Sequence, residues 1–256
     1  MTTFLRLLRA ELLKLKNTPL LAVVICVALM PATTVSLIYL TRSDGMTVWQ
    51  WNSFLQSSMQ IWLQLVVALF IGILAAQYLA IEHGNNTWKI LVTLPASKTL
   101  VVLAKWCVTL MLIVMAFVIL GLSLYGGAVL LQLFNSEAKL IPQAFDHITR
   151  DLGMLIATVI ASMGIITIQY ILALVVRAMS VPIIVAVAGF MVASMSAGRE
   201  LMLHLWPWAW PYQVYLQTAN SSDARVSISY ALMASLAITV VGLVCLLVYI
   251  RQRDEI

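Results

Sequence analysis

Residues 100–134 read LVVLAKWCVTLMLIVMAFVILGLSLYGGAVLLQLF, and this run decides the fold class. A helix rises ~1.5 Å per residue and a bilayer hydrocarbon core is about 30 Å thick, so ~20 apolar residues suffice to cross it. The run is long enough to cross and to extend beyond the bilayer. Apolar runs of similar character recur at about 20–40, 59–81, 152–176, 181–198 and 228–250, each bounded by polar or turn-forming residues.

The composition agrees. Of the 256 residues 62% are hydrophobic and 10% charged, with a mean hydropathy of +1.00, which a water-soluble surface does not tolerate. The sequence therefore predicts an all-α polytopic membrane protein: six transmembrane helices and an N-terminal interfacial amphipathic helix at 2–16, in one transmembrane domain over 1–256. The formal charge of +5 sits beside apolar runs, where anionic lipid headgroups and topology account for it; nucleic acid is not an expected partner. The fifth run starts at Pro182 and is thinned by Ser194, Ser196 and Gly198, so it is expected to be short, and its failure to span would move the C-terminus to the other side.

Orientation follows from Lys and Arg near the span ends. With the N-terminus inside, ten of them lie in cytoplasmic segments and five outside, which places both termini in the cytoplasm. Tyr39, Trp49, Trp51, Trp206, Trp208, Trp210 and Tyr230 then mark the outer interface, and Tyr78, Trp88, Trp106, Tyr170 and Tyr249 the inner one. Met1 to Lys16 alternates charge with leucine and no small-residue cleavage pattern follows the first run, so the first span is expected to be retained. Cys26, Cys107 and Cys245 fall in three different apolar runs and are expected to be buried and inert.

Two cytoplasmic segments carry more information. Along Phe4 to Lys16, at 100° per residue, Phe4, Leu8, Leu12 and Leu15 share one side and Arg6, Arg9 and Lys16 lie away from it, as in a helix lying in the interface. Glu11 projects into the apolar sector beside Leu7 and Leu15, so it is expected to pair with Lys14 or with a basic residue elsewhere. The alternative is a basic tail that only sets topology. In the loop 82–98, Gly84, Asn85 and Asn86 supply a turn, Thr87 caps a short helix, and Pro95 ends it after Leu94. That helix carries Trp88, Leu91 and Val92 as a plug suited to a groove on a partner protein, or else it is an interfacial linker.

The spacing Glu82, Thr87, Leu91, Pro95, Ser97, Lys98 and Lys105, with a basic N-terminal helix containing Arg9, Glu11 and Lys14, resembles the type-2 ATP-binding-cassette exporter permeases, particularly the short ones that protect bacteria against lantibiotics and other peptide antimicrobials. Asn86 stands where that family usually has glycine, and Lys98 where arginine is more frequent. The resemblance implies that 82–98 is a coupling loop docking on a separate ATPase through Glu82, Asn86, Thr87, Trp88, Leu91, Pro95 and Lys98, and that residues 2–16 form a connecting helix. It further implies a second permease copy or sister permease, ATP and magnesium held by the ATPase and none by this chain, and export of a peptide antimicrobial or lipid-like cargo across a bacterial cytoplasmic membrane.

Several absences and polar features complete the picture. No glycine is followed by lysine, so there is no phosphate loop; neither HExxH nor GxSxG occurs, and an enzyme is not expected. No Asp or Glu lies inside a proposed span, which disfavours an ion-coupled secondary transporter. A non-pumping membrane immunity or assembly protein is the other alternative. Gln60 and Gln64, at i and i+4, serve either interhelical bonding or a polar path, together with Gln77, Gln132, Thr167 and Gln169. Gly153, Ala157 and Ala161 permit close approach of another helix. In the outer segment 199–227, the two prolines of Trp206-Pro207-Trp208-Ala209-Trp210-Pro211 forbid one continuous helix, predicting short broken helices that gate the outer end or anchor in the interface. Asp146, His147, Arg150 and Asp151 read as a solvated loop face outside.

Overall fold

The computed structural model describes residues 2–16, 18–41, 50–84, 97–134, 140–176, 178–195, 204–220 and 230–252, with backbone alone at 2, 81–84 and 220. All regular structure among them is helical. The elements are α1 (Thr2–Leu15), α2 (Leu20–Thr41), α3 (Trp51–Gln60), a π-helical turn (Ile61–Val66), α4 (Val67–Gly84), α5 (Lys98–Phe134), α6 (Leu140–Asp146), α7 (Ile148–Val175), α8 (Ser180–Met195), a 3₁₀ turn (Pro207–Ala209), α9 (Trp210–Asn220) and α10 (Tyr230–Gln252).

Among the described residues five helices are long and apolar enough to cross a membrane: Leu20–Thr41, Trp51–Ala80, Lys98–Phe134, Ile148–Val175 and Tyr230–Gln252. The chain is thus a multi-pass membrane protein whose outer surface is apolar, with Leu37, Leu122, Ile184 and Val240 all well exposed. α8, from the fifth run, has 16 residues and falls short of that length, as Pro182 and the polar residues at its far end foretold. Two helices begin before the apolar runs they carry. α3 starts at Trp51, ahead of the run at 59, because Asn52, Ser53 and Gln56 are polar yet helical; α7 starts at Ile148 and so takes Arg150 and Asp151 into its first turn.

The helices pack α2 on α5, α1 on α5, α5 on α7, α4 on α7 and α8, and α9 and α10 on α7. Close approach is achieved at small residues. A Cβ on Gly72 of α4 would stand 2.5 Å from that of Ala186 on α8, and one on Gly189 of α8 would strike the Trp208 ring at 2.5 Å, so both interfaces need glycine. Ala157 and Ala161 of α7 are buried against Trp210, Val214, Ala231 and Leu232, which identifies α9 and α10 as the elements admitted by that small-residue spacing.

Polar side chains tie the helices together. Ser235 Oγ of α10 donates to the Ile160 carbonyl at 2.9 Å and accepts from the Gly164 N–H at 2.8 Å. Gln169 of α7 donates its amide to the Pro182 carbonyl at 3.0 Å and accepts from the Ala186 N–H at 3.3 Å. Two aromatics tether helices in the interior of the bundle: Trp106 donates to Thr167 Oγ1 at 3.2 Å, and Tyr170 to the Val102 carbonyl at 2.8 Å. Cys26 and Cys245 are exposed on the apolar surface and Cys107 is partly buried, so the expectation of three buried thiols holds for none of them fully; all three are free.

Candidate functional site

At one end of the bundle α1 is locked in place by a single carboxylate. Its inward stripe runs through the partly buried Leu8 and the buried Glu11 and Leu15, one side of a helix, while Arg6, Arg9 and Lys16 face out. Leu12, assigned to the apolar side by periodicity, is exposed, because the stripe centres on Glu11. Glu11 is 4% exposed. Its Oε1 accepts from Lys14 Nζ at 2.8 Å and from Lys105 Nζ of α5 at 2.9 Å, and its Oε2 from the Tyr78 hydroxyl of α4 at 2.8 Å. The Lys105 ammonium also lies 5.8 Å from the centre of the Tyr78 ring. Burial alone raises the Glu11 pKa, but the two lysines outweigh it, Lys105 foremost, and hold the carboxyl below its ordinary value.

The partners' positions matter. Tyr78 lies in the last part of α4 and Lys105 in the first part of α5, so Glu11 joins α1 to both helices that flank residues 85–96. Of the residues assigned to partner docking, Glu82 is in the last turns of α4 and Lys98 opens α5, whereas Asn86, Thr87, Trp88, Leu91 and Pro95 lie outside the described residues. The pairing of Glu11 with Lys14 and a distant base was legible in the sequence. Tyr78 was not, having been assigned to the interface. Lys105 offered a signal: it is the sole charged residue of the run 100–134, and an ionisable group inside an apolar helix marks a site by default.

At the other end a second carboxylate is buried. Asp151, 2% exposed, is no part of a solvated loop face. Its Oδ2 accepts from Trp51 Nε1 at 2.9 Å and from the Tyr125 hydroxyl at 3.4 Å, and its Oδ1 from Arg150 at 3.4 Å. Asp151 lies in the first turn of α7, ahead of the apolar run 152–176, so it is helical without standing in the interior of that run. Trp51 is itself buried against Phe54 and Tyr125.

Gln60 and Gln64 lie on an exposed face beside the π turn, with Gln60 Nε2 donating to Gln64 Oε1 at 3.4 Å. The Trp206–Pro211 segment is broken, as the prolines required: Pro207 opens the 3₁₀ turn and Pro211 is the second residue of α9, positions where a missing N–H costs nothing. Trp206 donates to the Gly189 carbonyl at 2.8 Å and Trp210 to that of His204 at 2.9 Å. Trp208 and Trp210 are buried, and only Trp206 keeps partial exposure.

A family model described as an ABC-2 family transporter protein matches residues 7–193, from α1 into α8. The chain belongs to this ABC-2 transporter family. No curated protein and no solved structure matches it closely enough to be set beside it. As an ABC-2 permease it is a non-catalytic transport component, embedded in the membrane. Among the described residues no three His, Cys, Asp or Glu side chains group together as metal ligands. Permeases of the ABC-2 family typically pair with an ATPase subunit and form dimers.

Proposed function

We propose that the chain is the membrane half of an ATP-driven exporter, with the loop 82–98 docking a separate ATPase that holds ATP and magnesium. Glu82, Asn86, Thr87, Trp88, Leu91, Pro95 and Lys98 form the docking element. α1 lies in the cytoplasmic interface as the connecting helix, with Arg9 toward the headgroups and Glu11 toward the bundle, held there in part by Lys14. The observation that carries this reading is the sharing of one buried carboxylate by α1, α4 and α5: a force applied to the loop reaches α1 through Tyr78 and Lys105 together. A chain that only bound a target would gain nothing from fastening both arms of a loop to a surface helix.

The remaining architecture follows. α8, roughly 24 Å long at ~1.5 Å per residue, crosses as the sixth span with local thinning of the bilayer, which returns both termini to the cytoplasm of a bacterial inner membrane. Two copies, or one copy and a sister permease, enclose a route lined by Gln60 and Gln64, with the Trp206–Trp210 segment at its outer gate. An amphiphilic cargo, a peptide antimicrobial or a lipid-like molecule, moves outward; this choice rests on the resemblance to the immunity permeases. Membership in the ABC-2 family also speaks against ion coupling.

The test is coexpression with the ATPase. Trp88→Ala and Pro95→Ala are expected to insert normally while losing copurification of the ATPase or vanadate-sensitive export. Normal coupled transport by both variants would refute the docking role, and nucleotide-independent protection would support a passive binder.

A further inference from the structure

The outer end of α3 is held from outside itself. A helix start leaves its first N–H groups without intrahelical partners, and Gln50, which precedes α3, makes no side-chain cap. The Trp51 N–H is instead taken by Gln143 Oε1 of α6 at 3.0 Å. The indole N–H of the same residue goes to Asp151 of α7 at 2.9 Å, and Asn52 Oδ1 accepts from Arg150 Nη2 at 2.9 Å. Three bonds from distant elements therefore fix the first two residues of α3. Phe54 completes the anchorage, since its ring sits where a Cβ on Gly127 of α5 would stand, at 2.9 Å.

Below this anchor runs a polar stripe. Asn52, Gln56, Gln60 and Gln64 are all exposed, whereas Leu55, Met59 and Leu63, each one residue earlier, are buried. In an ideal α-helix every fourth residue advances ~40° beyond a full turn, so a stripe of this spacing drifts around the helix. The wider π turn at Ile61–Val66 offsets that drift between Gln60 and Gln64, and their hydrogen bond at 3.4 Å reports the alignment. Amides turned toward hydrocarbon without partners are costly, so the rotation of α3 determines whether the stripe meets lipid or a wet route.

We infer that Asp151 is a positioning residue that fixes the outer end and the rotation of α3, and thereby aims Gln56, Gln60 and Gln64 at the route. The inference rests on the reading of Gln60 and Gln64 as lining that route. Asp151 acts through Trp51; Gln143 and Arg150 hold the same helix end beside it.

The test needs no cargo. In the permease coexpressed with its ATPase, with Cys26, Cys107 and Cys245 replaced by alanine, single cysteines are placed at 55, 56, 59, 60, 63 and 64 and labelled in membranes with a water-soluble, impermeant maleimide. Labelling at 56, 60 and 64 is expected to exceed that at 55, 59 and 63 by about tenfold or more, the scale of one buried polar contact. Trp51→Phe keeps an aromatic ring in the pocket but deletes the indole N–H, and Asp151→Ala deletes the acceptor. Either variant is expected to collapse the contrast between 56 and 55 severalfold, with a smaller effect at 64 and 63, whereas Asp151→Asn, which retains an acceptor oxygen, restores the original pattern. Absence of labelling at 60 and 64 in the otherwise unaltered protein would overturn the route and the inference together. A full contrast there that survives both Trp51→Phe and Asp151→Ala overturns the positioning role alone.

Discussion

Replacing Lys105 and Glu11 singly and together measures how firmly α1 is fastened to the bundle. Removing one member of a buried ion pair costs ~3–5 kcal/mol because the other charge stays behind, whereas replacing both by apolar groups is close to neutral. Lys105 is 1% exposed and Glu11 4%, so the pair qualifies as buried. Lys14 is different: its side chain is 40% exposed, and such a pair contributes at most ~1 kcal/mol. In Lys105→Met the carboxylate keeps Lys14 and the Tyr78 hydroxyl, which moderates the loss to about 2–3 kcal/mol. Glu11→Leu withdraws the carboxylate from a buried ammonium and is expected to cost about 3–5 kcal/mol. The double variant should lose no more than the milder single one, a coupling of at least about 3 kcal/mol. Thermal unfolding of the detergent-solubilised permease, followed by size-exclusion chromatography with fluorescence detection, reads these differences at roughly 2–4 °C per kcal/mol for a chain of this size. Strictly additive losses, or single variants within ~0.5 kcal/mol of the original, would refute the clamp as a coupled unit.

Three further outcomes follow from the geometry. Ser235→Ala removes both bonds between α7 and α10, yet polar contacts between membrane helices average only ~0.6 kcal/mol with a maximum near 1.7, so a stability loss of about 1–2 kcal/mol is expected, and a loss above 3 would show that packing at Gly164 had also failed. Gly189→Val drives a side chain into Trp208 and should destabilise by ~1–3 kcal/mol, with partial recovery in combination with Trp208→Leu; no recovery would place the damage elsewhere. The lowered pKa of Glu11 means that its contribution is complete above the unfolded carboxyl value, ~4.3, and is lost as pH falls through the lower folded value. A spin label at Leu8 should therefore keep its restricted mobility from pH 8 to pH 5 and loosen only in stronger acid; loosening between pH 7 and 6 would contradict the pairing.

Much of this protein was readable from the order of its residues. Hydropathy placed the membrane helices because the bilayer imposes one length and one polarity on every crossing, whatever the neighbours. Periodicity put Glu11 on the apolar side of α1, and the cost of an unpaired carboxylate there demanded a base. Pro207 and Pro211 required a broken outer segment through covalent geometry alone. Hydropathy marks apolar runs and not helix ends: Asn52 and Gln56 are polar yet helical, so α3 begins ahead of the second run, and Arg150 and Asp151 lie in the first turn of α7, ahead of the fourth.

What only the tertiary structure decided are the pairings across distance. That Lys105 and Tyr78 answer Glu11, that Trp51 and Tyr125 answer Asp151, and that Gly189 receives Trp208 depend on which helices are neighbours and how each is rotated. One-dimensional periodicity tells which side of a helix is apolar. It carries no term for what lies opposite, since inside a membrane many neighbour choices bury the same apolar area, and the selection falls to small residues and buried hydrogen bonds scattered along the chain.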